Sequence, residues 1–333
     1  MVDLGTGLLR FRRALFFSVF LLLFGAILFY SKTVAAAALE GLKISAAVLI
    51  PSLFPLSVLA NMIVRLGIAE PICKKLGKGF KKLFGVSGNG AVAFALGILG
   101  GYPLGILAAA DLFKNSKIGK TDLSRLVCFC SNCSPAFIFS VAAPRFTAGT
   151  DLRSAEIAFM LFSVHIASAV LTGILFKNLS VPDALANTEN SAGGLFLQKH
   201  SFASAFTESV EASAMAMLRL TAYISLFYII NIILKSSYIM TYIAGLTGIS
   251  KLGTYGAGIL EFSTGILSLD RSTASLPAAS FIIGFGGLCV AAQSASGLRE
   301  SGCGIGHYLL AKLFQAVTSC AVTAVIIDFV GIA

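Results

Sequence analysis

Long apolar runs alternate with short polar segments along this chain. The runs that meet or approach the length of a membrane-spanning helix, about 20 residues, are 14–30, 44–66, 124–144, 155–177, 210–234 and 306–327. Charged residues gather between these runs, as they do in loops that join membrane spans. The pattern predicts an all-α polytopic membrane protein.

The N-terminal segment has the outline of a signal peptide, because Arg10, Arg12 and Arg13 precede an apolar run. Its apolar core, Ala14–Tyr30, is too long for a signal peptide and continues into Ala35–Leu39, with further spans behind it. We therefore expect residues 1–43 to form an uncleaved first membrane helix with its N-terminus in the cytoplasm.

The run Gly90–Leu112 has basic segments on both sides. Six basic residues lie between Arg65 and Lys82 and four between Lys114 and Arg125, so the positive-inside rule places both flanks in the cytoplasm. A single full span cannot have both ends on one side. The run also contains four glycines and a proline within Gly97–Gly105, which interrupt a helix. We predict a re-entrant hairpin over 90–112.

A second short apolar element, Tyr255–Ser268, lies in a segment with only three basic residues nearby: Lys235, Lys251 and Arg271. It is too short to span, and its middle contains glycines and the sequence Glu261-Phe-Ser-Thr-Gly. The weaker positive charge predicts a second hairpin, 254–269, that enters from the opposite face.

Each hairpin is followed by an apolar helix with a polar interruption. The first broken helix is predicted over 124–144 with its break at Ser131–Pro135, and the second over 277–297 with its break at Gln293–Gly297. The order of helix, hairpin and broken helix therefore occurs twice, which is typical of the inverted repeats of secondary transporters. The predicted divisions are 44–177 for the first repeat, 178–208 for a cytoplasmic linker and 209–333 for the second repeat.

Composition supports a membrane protein and excludes several other classes. The chain is 57% hydrophobic and only 12% charged, whereas soluble domains carry about 25% charged residues. Its seven cysteines are odd in number and mostly lie in apolar runs, which argues against disulfides, and no metal constellation accompanies them. We expect no metal, no cofactor and no catalytic residues. The net charge of +10 reflects topology, so no nucleic-acid partner is expected either.

Polar side chains at the breaks and hairpin tips are the candidate substrate-binding groups. They are Gly101, Tyr102, Ser131, Asn132, Ser134, Ser263, Thr264, Gln293, Ser294 and Ser296. The N-terminal ends of half-helices suit an anion. The alternative is that these groups only satisfy the broken backbone. We expect the two breaks to approach each other near the middle of the bilayer.

Three ionisable residues inside apolar runs need separate explanations. Glu261 is either a coupling-ion or substrate site, or a structural partner of Arg219 or of freed amides at the hairpin tip. Arg219 either binds a carboxylate or extends to the interface. His165 is more typical of a packed residue than of a proton relay. The charge distribution places Lys312 inside a span as well.

Four motifs stand in order along the chain: Gly100-Gly-Tyr-Pro-Leu-Gly105, Phe129-Cys-Ser-Asn-Cys-Ser-Pro-Ala-Phe-Ile-Phe139, Leu260-Glu-Phe-Ser-Thr-Gly-Ile266 and Phe281-Ile-Ile-Gly-Phe-Gly-Gly-Leu-Cys-Val-Ala-Ala-Gln293. Over residues 40 to 325 they resemble the YlbJ family of sporulation integral membrane proteins, which carry a nucleoside-recognition "gate" element. The resemblance implies a fold like that of concentrative nucleoside transporters.

The same resemblance implies a function late in spore formation, in the outer forespore membrane, with dipicolinic acid moved from the mother cell toward the forespore. The partners would be this small carboxylate and membrane lipid, with the oligomeric state open between a monomer and a homo-oligomer. Two alternatives remain: a transporter of nucleosides or other neutral solutes, and a sporulation scaffold that does not transport. An enzyme is not expected.

Overall fold

The computed structural model describes residues 4–148, 150, 152–178, 201–237, 239–247, 252–301 and 304–331, and every regular element in these ranges is helical. The first half contains α1 Leu4–Phe29, α2 Ser31–Ile44, α3 Ile50–Arg65, α4 Ala69–Phe84, α5 Gly90–Gly100, α6 Leu104–Lys114, α7 Lys120–Phe129, α8 Pro135–Phe137 and α9 Ser154–Phe176. Short π and 3-10 segments follow α2 and α8, at Ser45–Leu49, Ile138–Ala142 and Ala143–Phe146.

The second half contains α10 Phe202–Ser236, α11 Ile239–Thr247, α12 Leu252–Leu260, α13 Phe262–Ser268, α14 Leu276–Phe285, α15 Gly287–Gln293, α16 Ala295–Ser301 and α17 Ile305–Val330, with a 3-10 turn at Thr273–Ser275 before α14. The order of helix, hairpin and broken helix recurs, as predicted. The all-α fold class with two hairpins and two broken helices is confirmed.

Two predicted boundaries differ from the structure. The first long helix ends at Phe29, and Tyr30 starts a continuous helical segment through Ser31–Ile63. Hydropathy merged the end of α1 with α2 because both are apolar. The linker was predicted to extend to 208, but Ser201 already caps α10 by accepting a hydrogen bond from the Ser204 amide at 3.2 Å. Residues 179–200 of the predicted linker lie outside the described residues.

The first hairpin consists of α5 and α6, and its two ends lie side by side. The Asn89 amide donates to the Lys117 carbonyl at 2.9 Å, so both flanks of the hairpin are at the same end of the molecule. Between the arms, Gly97 and Gly105 are in contact with the Cys130 carbonyl of the broken helix, and a Cβ at either glycine would overlap that oxygen. The glycines that the sequence marked as helix breakers therefore also allow the close approach of three backbones.

The second hairpin consists of α12 and α13, and its arms also pack closely at a pair of glycines. Gly258 and Gly265 face each other, and a Cβ on Gly265 would overlap the Gly258 backbone. The tip is a single extended residue, Glu261, at φ −146° and ψ 118°. Each hairpin thus has one pair of glycines that lets its arms pack closely.

The first broken helix lies along the whole of α9 in the opposite direction. The Arg125 guanidinium in α7 donates to the Lys177 carbonyl at 3.0 Å, just after α9, and the Cys133 amide donates to the His165 ring at 3.0 Å, halfway along α9. Beyond the break, the Arg145 guanidinium donates to the Leu269 carbonyl at the end of the second hairpin, at 2.8 Å. The two hairpins therefore have their ends at opposite ends of the molecule, as an inverted repeat requires.

The second broken helix is interrupted earlier than we predicted. The main break lies at Gly286 and Gly287, whose φ angles are +77° and +79°, between α14 and α15. The predicted break at Gln293–Gly297 corresponds only to a brief interruption at Ser294 between α15 and α16. The prediction followed polar residues, whereas the backbone breaks where two successive glycines accept left-handed angles.

The outer surface of the helices is apolar. Large side chains such as Leu22, Leu246 and Phe329 are 73%, 71% and 91% exposed, whereas large apolar patches are rare on water-soluble proteins. Within the described residues, five helices are long and apolar enough to cross a membrane: Ser31–Ile63, Ser154–Phe176, Phe202–Ser236, Thr273–Gln293 and Ile305–Val330. The chain is an integral, multi-pass membrane protein.

Candidate functional site

Tyr102, at the tip of the first hairpin, contacts the second half of the molecule. Its hydroxyl donates to the Ile283 carbonyl at 2.6 Å, in the last turn of α14. Its ring packs edge-on against Phe262 at the tip of the second hairpin, with 5.4 Å between ring centroids. A Cβ at Gly286 would lie 3.1 Å from the same ring. One side chain therefore contacts the second break and the second tip.

The tip of the first hairpin also contacts the first break. Gly101 has φ +78°, and a Cβ there would lie 2.8 Å from the Ser134 Cβ. Since Tyr102 reaches Gly286, the dipeptide Gly101-Tyr102 joins the two breaks. The expected approach of two helix breaks is thus found at Gly286, and the predicted segment Gln293–Gly297 also lies close to the first break, because the Tyr308 hydroxyl is next to both Ser131 and Ser294.

Side chains within the first break satisfy the backbone that the break exposes. The Asn132 amide donates to the Phe129 carbonyl at 2.8 Å, at the end of α7. The Ser134 hydroxyl accepts from the Phe137 amide at 3.3 Å, at the start of α8. Both side chains are buried. The structural alternative that we considered for these polar groups therefore holds for Asn132 and Ser134.

A lysine from α17 completes this break. The Lys312 side chain is fully buried, and its ammonium donates to the Ser131 carbonyl at 2.8 Å and to Gln315 Oε1 at 2.6 Å. The ammonium also lies 5.2 Å from the centroid of the Tyr102 ring. A positive charge is therefore held at the point where the first tip and the first break meet.

Gln315 and His165 hold the other side of the break. The Gln315 amide nitrogen is 3.3 Å from Asn132 Oδ1 and 3.4 Å from the His165 carbonyl, and it donates to both. His165 Nε2 accepts the Cys133 amide, so this nitrogen carries no proton and the ring is neutral. His165 acts here as a packed, hydrogen-bonded residue, as the sequence favoured.

Glu261 caps its own hairpin tip. Its carboxylate accepts hydrogen bonds from the Ser263 amide at 3.0 Å and the Ser263 hydroxyl at 2.5 Å. It also accepts from the Thr264 amide at 2.6 Å and from the Thr264 hydroxyl. Of the explanations considered for this buried carboxylate, the partner of freed amides at the tip matches these contacts. Ser263 and Thr264, both candidate ligands, serve this cap.

The remaining candidates lie on α10 or at the interruption between α15 and α16. Gln293 donates to Cys289 Sγ at 3.2 Å within its own helix, and Ser294 is fully buried. The side chain of Ser296 lies outside the described residues. Arg219 is exposed on α10, so the structure does not bring it to Glu261 or to either break. The position of Arg219 within the apolar run did not indicate which face of the helix its side chain is on.

Sequence reasoning did not assign Lys312, Gln315, Tyr308 or the glycine pair at the second break to the site. Tyr308 lies next to the break, with its hydroxyl 3.4 Å from the Ser131 hydroxyl. The signal for Lys312 was present, because an ionisable residue inside an apolar span is functional by default. The same criterion selected Glu261 and Arg219.

Comparisons with known proteins agree with this architecture. Residues 46–181 match the family model described as Gate, nucleoside recognition. The chain is 24% identical over 337 residues to the sporulation integral membrane protein YlbJ of Bacillus subtilis (strain 168), which covers 90% of this chain and 79% of the relative. The resemblance inferred from the four motifs is confirmed.

Solved structures with the same fold include variants of the concentrative nucleoside transporter CNTnw. An outward-facing state has a TM-score of 0.57 at 18% identity, and an intermediate state has 0.55 at 15%; each match covers 100% of this chain and 88% of the other. At such low identity the likeness shows the fold alone. The matched solved structures are those of transporters, and the Bacillus subtilis relative is named as an integral membrane protein.

Proposed function

We propose that this chain transports a small anionic solute, with dipicolinate as the cargo, from the mother cell toward the forespore during sporulation. It would act in the outer forespore membrane with its N-terminus in the cytoplasm. The sporulation name of the Bacillus subtilis relative supports the setting, and the transporter-like fold supports movement of a small solute between the two halves.

The observation that favours an anion is the surroundings of Lys312. Its ammonium contacts the Ser131 carbonyl, the Gln315 side-chain oxygen and the Tyr102 ring, all of which are neutral. The buried carboxylate of Glu261, in contrast, is surrounded by four donors of its own tip. The junction of the first tip and the first break therefore has a positive charge that a carboxylate can approach favourably.

A neutral solute such as a nucleoside is the second candidate. The family model that matches residues 46–181 is described by nucleoside recognition, and the solved structures of this fold are nucleoside transporters. Asn132, Gln315 and Tyr102 offer neutral hydrogen-bonding groups, although in this structure they bond to one another or to the backbone.

Uptake into proteoliposomes that contain only this protein separates the candidates. We expect uptake of labelled dipicolinate that is inhibited by unlabelled dipicolinate and at least about tenfold less by its diamide, since a buried charge-assisted contact contributes roughly 1.5–3 kcal/mol. Uridine competing as well as dipicolinate would favour the nucleoside candidate. No uptake of either solute, with correctly oriented protein, would leave the scaffold alternative.

A pair of variants tests the role of the charge. Lys312→Met should reduce dipicolinate uptake at least about tenfold, because it removes the buried charge while keeping a long apolar side chain. Lys235→Met, at the exposed end of α10, should leave uptake unchanged. Equal uptake by both variants would contradict an anion site at Lys312.

A further inference from the structure

The Ser131 carbonyl is exposed by a specific feature of the sequence. In a continuous helix it would accept the amide hydrogen of residue 135, but that residue is Pro135, which has no N–H. α7 has already ended at Phe129, so this oxygen points away from any helical partner. The Lys312 ammonium occupies the position of the missing donor, at 2.8 Å.

The second oxygen is aimed at the ammonium by its neighbours. Gln315 donates its amide nitrogen to Asn132 Oδ1 and to the His165 carbonyl, so its carbonyl oxygen must face the other way, toward Lys312 at 2.6 Å. The face of the Tyr102 ring closes a third side. These groups form an oxygen-and-aromatic cradle built for a cation, and Lys312 fills it from within the chain.

Oxygen cradles of this kind have a known use in transporters with broken helices. Carbonyl groups freed at an unwound helix, together with side-chain oxygens, coordinate the Na⁺ or proton that drives such transporters. Two like charges at hydrogen-bonding separation repel strongly inside a protein, where water screens them poorly. An alkali cation and the ammonium therefore cannot share this cradle.

We propose that the Lys312 ammonium is a built-in cation that takes the place of a sodium ion at the first helix break, so that this site works without an alkali cation. The cradle should become a site for a free monovalent cation when the lysine side chain is removed. The transport part of this inference rests on the proposed function, whereas the cation-binding part does not.

The test compares the melting temperature of purified protein in sodium chloride, ammonium chloride and choline chloride at equal ionic strength. Lys312→Ala opens the cradle. We expect its Tm to be at least about 3 °C higher in Na⁺ or NH₄⁺ than in choline, because a ligand that binds only the folded state stabilises that state. Lys312→Met is the matched control, because its side chain still fills the space. For Lys312→Met and for the wild type, the Tm of each protein should change by less than about 1 °C from one salt to another.

Each outcome decides the proposal. A cation response confined to Lys312→Ala upholds it, whereas a wild-type Tm that rises with Na⁺, or a Lys312→Ala protein that is as insensitive as Lys312→Met, overturns it. If Lys312→Ala yields no folded protein in any of the salts, the wild type decides. Wild-type uptake that falls more than tenfold when choline replaces sodium overturns the proposal, and unchanged uptake upholds it. Because melting needs no cargo, failure of the dipicolinate assay alone tests only the proposed function.

Discussion

The two halves of the molecule interrupt their broken helices by different means. In the first half the break is held by side chains, with Asn132 and Ser134 capping the helix ends and Lys312 bonding the freed Ser131 carbonyl. In the second half the break is made by the backbone freedom of Gly286 and Gly287. The first break thus contains a charge and hydrogen-bonding side chains, whereas the second break lets neighbouring groups pack closely against its glycines.

The hairpin tips show the opposite arrangement: the first half has the tip that turns at glycine, and the second half has the tip that is capped by a polar side chain. The first tip turns at Gly101 and presents the Tyr102 ring, whereas the second is capped by the carboxylate of Glu261. The glycine-type break packs against the charged tip, since a Cβ at Gly287 would lie 3.2 Å from the Leu260 carbonyl. The polar break packs against the glycine tip at Gly101. Each half therefore combines one element that is capped by polar side chains with one that turns at a glycine.

The largest expected effect comes from the feature that the two hairpins share. Gly97→Ala and Gly265→Ala should each destabilise the protein by at least about 3 kcal/mol, because the added methyl group overlaps backbone that cannot move aside. Gly79→Ala and Gly253→Ala, where a Cβ would meet nothing within 4 Å, are the controls. Thermal unfolding in detergent measures all four. A Gly97→Ala protein as stable as Gly79→Ala would show that the hairpin arms are farther apart than described.

Glu261→Gln tests how far the second tip depends on charge. The amide places its NH₂ group against donors of Ser263 or Thr264 and loses their hydrogen bonds, so we expect a loss of about 2 kcal/mol in stability. Glu211→Gln, exposed on α10, should change stability by less than about 0.5 kcal/mol. If both variants melt with the wild type, the carboxylate is not needed as a cap, and a role in the transport cycle becomes the better explanation for its burial.

Gly287→Ala examines the break that depends on glycine. A residue with a Cβ in the left-handed region costs about 1–2 kcal/mol, and the Leu260 carbonyl adds a steric contact. Gly331→Ala is the control for conformation alone, since Gly331 also has a positive φ, +68°, but its Cβ would meet nothing within 4 Å. Unfolding experiments should show a larger loss for Gly287→Ala. Equal losses would mean that packing against the second tip contributes little.

Ser134→Ala should give the smallest effect, because it removes one helix cap from the polar break. Loss of such a cap costs about 1 kcal/mol. Ser201→Ala removes the equivalent cap at the exposed start of α10, where water can satisfy the freed amide. The difference in unfolding free energy between these variants measures what burial adds to the cap. A Ser134→Ala protein more destabilised than Gly287→Ala would reverse the proposed contrast between the two breaks.

The sequence by itself determined the features that depend on local composition. Hydropathy and charge gave the membrane class, the two hairpins and the first break at Ser131–Pro135, because bilayer solvation and proline geometry act on each segment separately. The first helix boundary and the second break were misplaced for the same reason. The apolar run continues from α1 into α2, so hydropathy did not show where α1 ends. The second break was placed at the polar residues 293–297, whereas the chain bends at two glycines.

Only the tertiary structure decided which of the deep polar residues meet. Glu261, Arg219 and Lys312 have similar sequence signals, yet the first caps its own tip, the second is exposed on α10, and the third fills the cradle at the first break. The direction in which a helical side chain points is set by packing against other helices, some of them more than 150 residues away in the chain, as for Lys312 and Ser131, with a sequence separation of 181. No local pattern contains that information, because a span that is apolar on all sides gives no preferred face.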